Sequence, residues 1–89
     1  MTEIILLERL LKCLANRRRL AIVQFLKNKQ EATVGQIADE ISLSLTSTSQ
    51  HLKSLATMGI VQSEQRSLFV YYRLSATLHP ISRAVLDLF

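Results

Sequence analysis

Ser42-Leu-Ser-Leu-Thr-Ser-Thr-Ser-Gln-His-Leu-Lys-Ser-Leu-Ala-Thr-Met-Gly-Ile60 is the stretch that decides the fold. Half of the residues from Ser42 to Thr57 are Ser or Thr. Inside a helix such residues compete with the backbone for its hydrogen bonds, so a helix here is not chosen for its own stability. A helix over about 44–58 is nevertheless predicted. Ser44 can cap it, and Gly59 supplies a left-handed stop. At 100° per residue, Leu45, Leu52, Leu55 and Ala56 share one face, with Thr48 between them. Away from that face lie Thr46, Ser47, Gln50, Lys53, Ser54 and Thr57, with Ser49 and His51 on the shoulders. No acidic residue occurs from Ile41 to Ser63. An ordinary solvent face mixes Glu with Lys. This one offers hydroxyls, an amide and a lysine, groups that can approach phosphates or base edges without charge repulsion.

Working outward, Thr33-Val-Gly-Gln36 has capping-box spacing. Val34, Ile37, Ala38 and Ile41 follow at i, i+3, i+4 and i+7, which fits a short amphipathic helix. Ser42-Leu43 is then a tight break between two helices. Beyond Gly59 the period changes. Ile60 to Gln65 and Leu68 to Leu74 read as strands of a hairpin, the second rich in β-formers. Arg66-Ser67 lies between them, and neither residue is Gly or Asn, so a loose tip is expected rather than a strict two-residue turn. Arg66 at that tip is either a solvated turn residue or a contact to phosphates or the minor groove. Phe69, Tyr71 and Tyr72 are expected to pack the hairpin rather than to stack on bases. Two helices joined by a tight turn and followed by a hairpin describe a winged helix-turn-helix.

Upstream, Asn16 can cap a helix over about 17–28, with Leu20, Val23 and Leu26 on its core face and Ile22 and Phe25 flanking. Lys27 and Lys29 suit its C-terminal end, whereas Arg17-Arg18-Arg19 oppose the dipole at its start. That triplet is a solvated basic turn or a contact to a polyanion. A first helix over 3–15, capped by Thr2, carries Ile4, Leu6, Leu7, Leu10, Leu11, Cys13, Leu14 and Ala15 around more than half its circumference. One core needs only a stripe of about 100°. The surplus fits a helix wedged between two others or, as we favour, a second face reserved for a partner subunit. A last helix over 79–89 begins near His79-Pro80, with Ile81, Val85 and Leu88 as its apolar line. The predicted class is mainly α with a small β-hairpin, in the order α-α-α-α-β-β-α, as one domain over residues 1–89.

Composition agrees with that size and class. The chain has 89 residues, 48% of them hydrophobic, and a formal charge of +4. Leu supplies 16 residues and Gly 2. A single Cys excludes an intrachain disulfide framework, and Cys13 on an apolar helix face reads as an inert core thiol. The longest apolar run, Leu68 to Tyr72, is far short of a bilayer span, and the N-terminus lacks a signal-peptide pattern. The expectation is a cytoplasmic protein without membrane association. No nucleophile–base pair, metal cluster or Gly-rich phosphate loop can be named, so no enzyme, metal or cofactor is expected.

Leu11-Lys-Cys-Leu-Ala-Asn-Arg-Arg-Arg-Leu20, Ser42 to Leu55, Gly59-Ile-Val and Val70-Tyr-Tyr-Arg-Leu74 together resemble the ArsR/SmtB-type winged-helix repressors over about residues 10–75. The resemblance implies a homodimer joined through the first and last helices, operator DNA bound by the 44–58 helix, and release of that DNA on effector binding. The family's DNA-contacting positions map onto Leu45, Thr46, Ser49 and Gln50. The first is usually a polar amide; here it is Leu45, which the helical wheel assigns to the core side. Family members with a thiolate pair at the start of the short helix have it where Thr33 and Gly35 stand here, and neither is a soft-metal ligand. The last helix offers only His79 and Asp87, about 12 Å apart along its axis. The expected DNA-binding residues are therefore Ser44, Thr46, Ser47, Ser49, Gln50, His51, Lys53 and Arg66, with double-stranded operator DNA and a second copy of the chain as partners. The alternative is a winged-helix interaction module whose acid-free face meets an acidic protein.

Overall fold

The computed structural model describes Met1–Phe89. Its elements run α1 (Thr2–Leu14), α2 (Arg17–Lys29), β1 (Glu31–Thr33), α3 (Val34–Ile41), α4 (Leu45–Thr57), β2 (Val61–Arg66), β3 (Phe69–Leu74) and α5 (Pro80–Leu86). The winged helix-turn-helix is present, with one addition. Glu31–Thr33 forms a third antiparallel strand, and the sheet order is β1-β3-β2. Ala32 lies opposite Tyr72 and is fully buried. Glu-Ala-Thr has little β propensity, and these three residues become a strand only because β3 offers a free edge.

Local chemistry explains most of the boundaries. The Asn16 side chain accepts from the Arg18 and Arg19 amides and starts α2. Thr33 and Gln36 close a full capping box on α3. Ser42 then turns the chain in the left-handed region, φ 54° and ψ 51°, and Ser44 accepts from the Ser47 amide at 3.1 Å to start α4. Gly59, at φ +70°, leads the chain out of α4 toward the wing, a backbone state that strains any other residue.

Several sequence expectations change. Thr2 does not cap α1; the N-cap is Met1, without a side-chain bond, and Thr2 is helical. The wing closes on a two-residue loop, because Arg66 pairs with Phe69 and leaves only Ser67 and Leu68. Ser67 takes φ 56°, so a serine does the work expected of Gly or Asn. α5 is shorter than expected. His79 is its cap, its Nδ1 accepting from the Ile81 amide, and the helix ends at Leu86. Leu86 and Ser82 are buried, whereas Leu88, expected on the apolar line, is exposed. Lys27 is bound to α5 rather than to its own helix end, its Nζ donating to the Leu86 and Phe89 carbonyls at 2.8 and 3.0 Å.

The core joins Leu10 and Leu14 of α1, Ile22, Val23 and Leu26 of α2, Ile37 of α3, and Leu52 and Leu55 of α4, with Ile60, Val61 and Leu86 closing it. Cys13 is also buried there, its thiol 3.8 Å from the Ser54 carbonyl. Burial pushes the thiol pKa up, in keeping with an inert core position. No helix is long and apolar enough to cross a membrane.

Arg19 ties α1 to α4. Its Nε donates to the Cys13 carbonyl, its Nη2 to the Lys12 carbonyl at 3.4 Å, and its Nη1 to His51 Nδ1 at 3.3 Å. A guanidinium only donates, so Nδ1 accepts and Nε2 holds the imidazole proton. Partial burial, then the charges of Arg19 and Arg18, lower the His51 pKa.

Two tests follow from this packing. Thr48 Oγ1 is fully buried without a hydrogen-bond partner. Thr48→Val keeps the volume and removes the orphan hydroxyl, so it should stabilise the fold by about 1–2 kcal/mol in urea unfolding; a destabilised variant would count against an unsatisfied hydroxyl. His51 binds its proton less tightly in the folded state than in the unfolded chain. Its contribution to stability is present above the ordinary imidazole value and is lost as pH falls through the lowered one. Stability measured between about pH 7 and pH 5 should fall less in His51→Gln than in the wild type.

Candidate nucleic-acid interface

α3 and α4 pack on each other and on α2. The inward stripe of α4 is narrow: Thr48, Leu52 and Leu55 are fully buried. Thr46, Gln50, Lys53, Ser54 and Thr57 are exposed, and Ser47, Ser49 and His51 are half-buried. Leu45 departs from the wheel assignment. It is 60% exposed, not part of the core. Its angle matches that of Leu52, but one turn before Thr48 the helix has run past the core's edge. Ala56, also assigned inward, is exposed as well.

The hydroxyls on the outer face divide into two sets. Ser54 Oγ donates to the Gln50 carbonyl at 3.2 Å and Thr57 Oγ1 to the Lys53 carbonyl at 2.9 Å, so both are turned back on their own helix. Ser44 Oγ serves the cap. Thr46, Ser49 and the Gln50 amide have no side-chain bond of this kind, and Lys53 has no ion pair. The available donors and acceptors therefore gather in the first half of α4, the end that a recognition helix presents to base edges.

The basic triplet at the start of α2 is split by the structure. Arg19 is consumed by α1 and His51. Arg17 and Arg18 are exposed, and with Ala15, Asn16 and His51 they line a polar cleft of about 530 Å³ beside α4. They also border a second cleft that reaches Ser42. Two cations thus flank the α4 face without any carboxylate on that helix. Sequence reasoning left the triplet undecided.

The wing is built differently. Arg66 binds Glu31 through two bonds of 2.8 and 2.9 Å and Glu64 through one of 3.1 Å, and its guanidinium carbon lies 4.6 Å from the Tyr71 ring centre. Arg73 adds a 3.4 Å contact to Glu64. Hydrogen bonds from Arg66 hold both carboxyls below the usual carboxylate range. The cluster contains two cations and two anions, so it brings no net charge to the wing. Arg66, expected to contact phosphates or the minor groove, is paired within the sheet, and a phosphate would compete with two carboxylates for it.

No three His, Cys, Asp or Glu side chains come together as a metal site. His79 and Asp87 stand at opposite ends of α5, and Thr33 is occupied by the α3 capping box.

Residues 16–63 match the family model described as "Bacterial regulatory protein, arsR family". The transcriptional activator HlyU of Vibrio cholerae is 40% identical over 68 residues, 76% of this chain and 62% of that protein. The structure of reduced HlyU superposes with a TM-score of 0.81 at 33% identity, covering 98% of this chain and 87% of that one. The cadmium resistance transcriptional regulatory protein CadC of Listeria innocua is 41% identical over 61 residues, 68% of this chain and 51% of CadC. The matched stretch therefore spans between half and two thirds of these curated relatives. The homodimeric winged helix-turn-helix DNA-binding domain of Mb0332 from Mycobacterium bovis superposes with a TM-score of 0.82 at 29% identity, covering 98% of this chain and 77% of that one. With more than half of its residues inside the family model and its fold matched end to end by HlyU, the chain belongs to the arsR family of bacterial regulatory proteins.

Proposed function

We propose that this protein is a dimeric, sequence-specific DNA-binding repressor that acts in the cytoplasm and releases its operator in response to an effector. The observation that carries the reading is the outer face of α4. It has no acidic residue, its unbonded polar groups gather at the N-terminal half, and Arg17 and Arg18 flank it. In this reading Thr46, Ser49 and Gln50 meet base edges. Ser44, Ser47, His51 and Lys53, together with Arg17 and Arg18, meet phosphates. Arg66 chiefly holds the wing to β1. A DNA-binding role leaves no reacting groups to assign, so the protein is not an enzyme in this reading. The effector acts elsewhere than on a thiolate pair in α3, since Thr33 and Gly35 occupy those positions.

The dimer is supported by what α1 leaves uncovered. Leu10, Cys13 and Leu14 face the core, while Ile4 (64%), Leu7 (38%) and Leu11 (45%) remain exposed and line a shallow apolar groove. α1 also packs on α5. Burying that surplus against a second copy sets two α4 helices into successive major grooves about 34–36 Å apart.

Titration of fluorescent random duplex at low salt should show micromolar binding that weakens steeply with added salt. Absence of binding, with retention on an acidic protein surface, would favour the interaction-module reading. On a selected operator, Gln50→Ala should lose about 1–3 kcal/mol of discrimination at one base position; an equal loss on every sequence would count against base readout. Leu7→Glu combined with Leu11→Glu should leave the monomer folded and halve the sedimenting mass, because neither side chain belongs to the intrachain core. A dimer that survives both changes would rule out this interface.

A further inference from the structure

Leu45, with Leu68 and Leu88, is one of three exposed leucines that neither the core nor the α1 surface accounts for, and the one that lies on α4. It is the first residue of α4 after the Ser44 cap, 60% exposed, while Leu52 and Leu55 on the same helix are fully buried. It sits at the angle of the inward stripe but one turn beyond the core, beside the polar residues Thr46 and Ser49. Resting on the proposed role of α4 in DNA binding, we infer that Leu45 reads the 5-methyl group of a thymine in each operator half-site.

The chemistry of the major groove leaves a leucine one good partner. Among the four bases, thymine alone adds a methyl group to the hydrogen-bonding groups of its major-groove edge. A leucine set against N7, O6 or an exocyclic amine would strip water from that group and return no hydrogen bond. Against the thymine methyl it buries apolar surface on both sides. The first turn of a recognition helix is the part that reaches base edges, and Leu45 lies in that turn. Thr46 and Gln50 then supply hydrogen bonds to adjacent positions, so one apolar contact fixes their register on the duplex.

The test uses the full chain and a duplex recovered by selection from a random pool. Each thymine is replaced by uracil, which removes only the methyl group, symmetrically in both half-sites. One symmetric position should weaken wild-type binding by about three- to fivefold per half-site, the factor that burying one methylene-sized group supplies. Leu45→Ala should lose that sensitivity while keeping the preferences at other positions, and Leu45→Gln should move the preferred base there toward adenine. 5-Methylcytosine at the same position should bind the wild type better than cytosine does. A wild type indifferent to every thymine methyl, or one that loses no more than Leu45→Ala, overturns the assignment. Failure to recover any duplex is a different result: it overturns the DNA-binding reading itself, and the leucine assignment with it.

Discussion

The narrow inward stripe of α4 is the constraint on which the other elements depend. Thr48, Leu52 and Leu55 are the only fully buried residues of that helix, and its hydroxyl-rich sequence contributes little helix propensity of its own. α4 is therefore held by its neighbours. The Ser42 turn fixes its angle to α3, Ser44 supplies its cap, and α2, α3 and β2 pack against it. In return, roughly two thirds of its circumference is left free of structural duty. A helix of intrinsically stable composition would fill that surface with Glu and Lys at i,i+4 spacing and would then repel a polyanion.

Charge is distributed by the same logic of local partnership. The net +4 of the chain is small, but the wing cations are cancelled by Glu31 and Glu64, and Arg19 is absorbed by the carbonyls that end α1. Arg17, Arg18 and Lys53 remain unpaired around α4. The face around α4 thus keeps unpaired cations and has no acid on the helix itself, while the wing carries a neutral, hydrogen-bonded lattice of side chains.

Features with a local cause were legible before any coordinates. The Asn16 and Ser44 caps, the Thr33–Gln36 box and the Gly59 stop each rest on contacts within a few residues, and all are present. Features set by distant partners were not legible. β1 exists because β3 is beside it. Lys27 leaves its own helix end for α5, across a separation no window of sequence reveals. Ser67 adopts a positive φ because the register of β2 on β3 demands a two-residue loop. Leu45 shows the limit of a helical wheel, which reports angle and says nothing of where the core stops along the axis. In the candidate site, the polar residues of α4 were identifiable from pattern alone, whereas the neutralisation of Arg66 required knowing that Glu31 belongs to the same sheet.

The bond from Lys27 to the last carbonyls of α5 has a mechanical meaning. α2 begins at the arginines beside α4 and reaches that lysine in its last turn, so one rod of about 15 Å connects the proposed DNA side of the subunit to the helix that packs on α1. Rigid rods convert angle into displacement. A tilt of about ten degrees imposed at the α5 end would carry the Arg17–Arg18 end through about 3 Å over that length, comparable to a whole hydrogen-bond distance. A small rearrangement between subunits would thereby be magnified into the difference between a phosphate held and a phosphate out of reach.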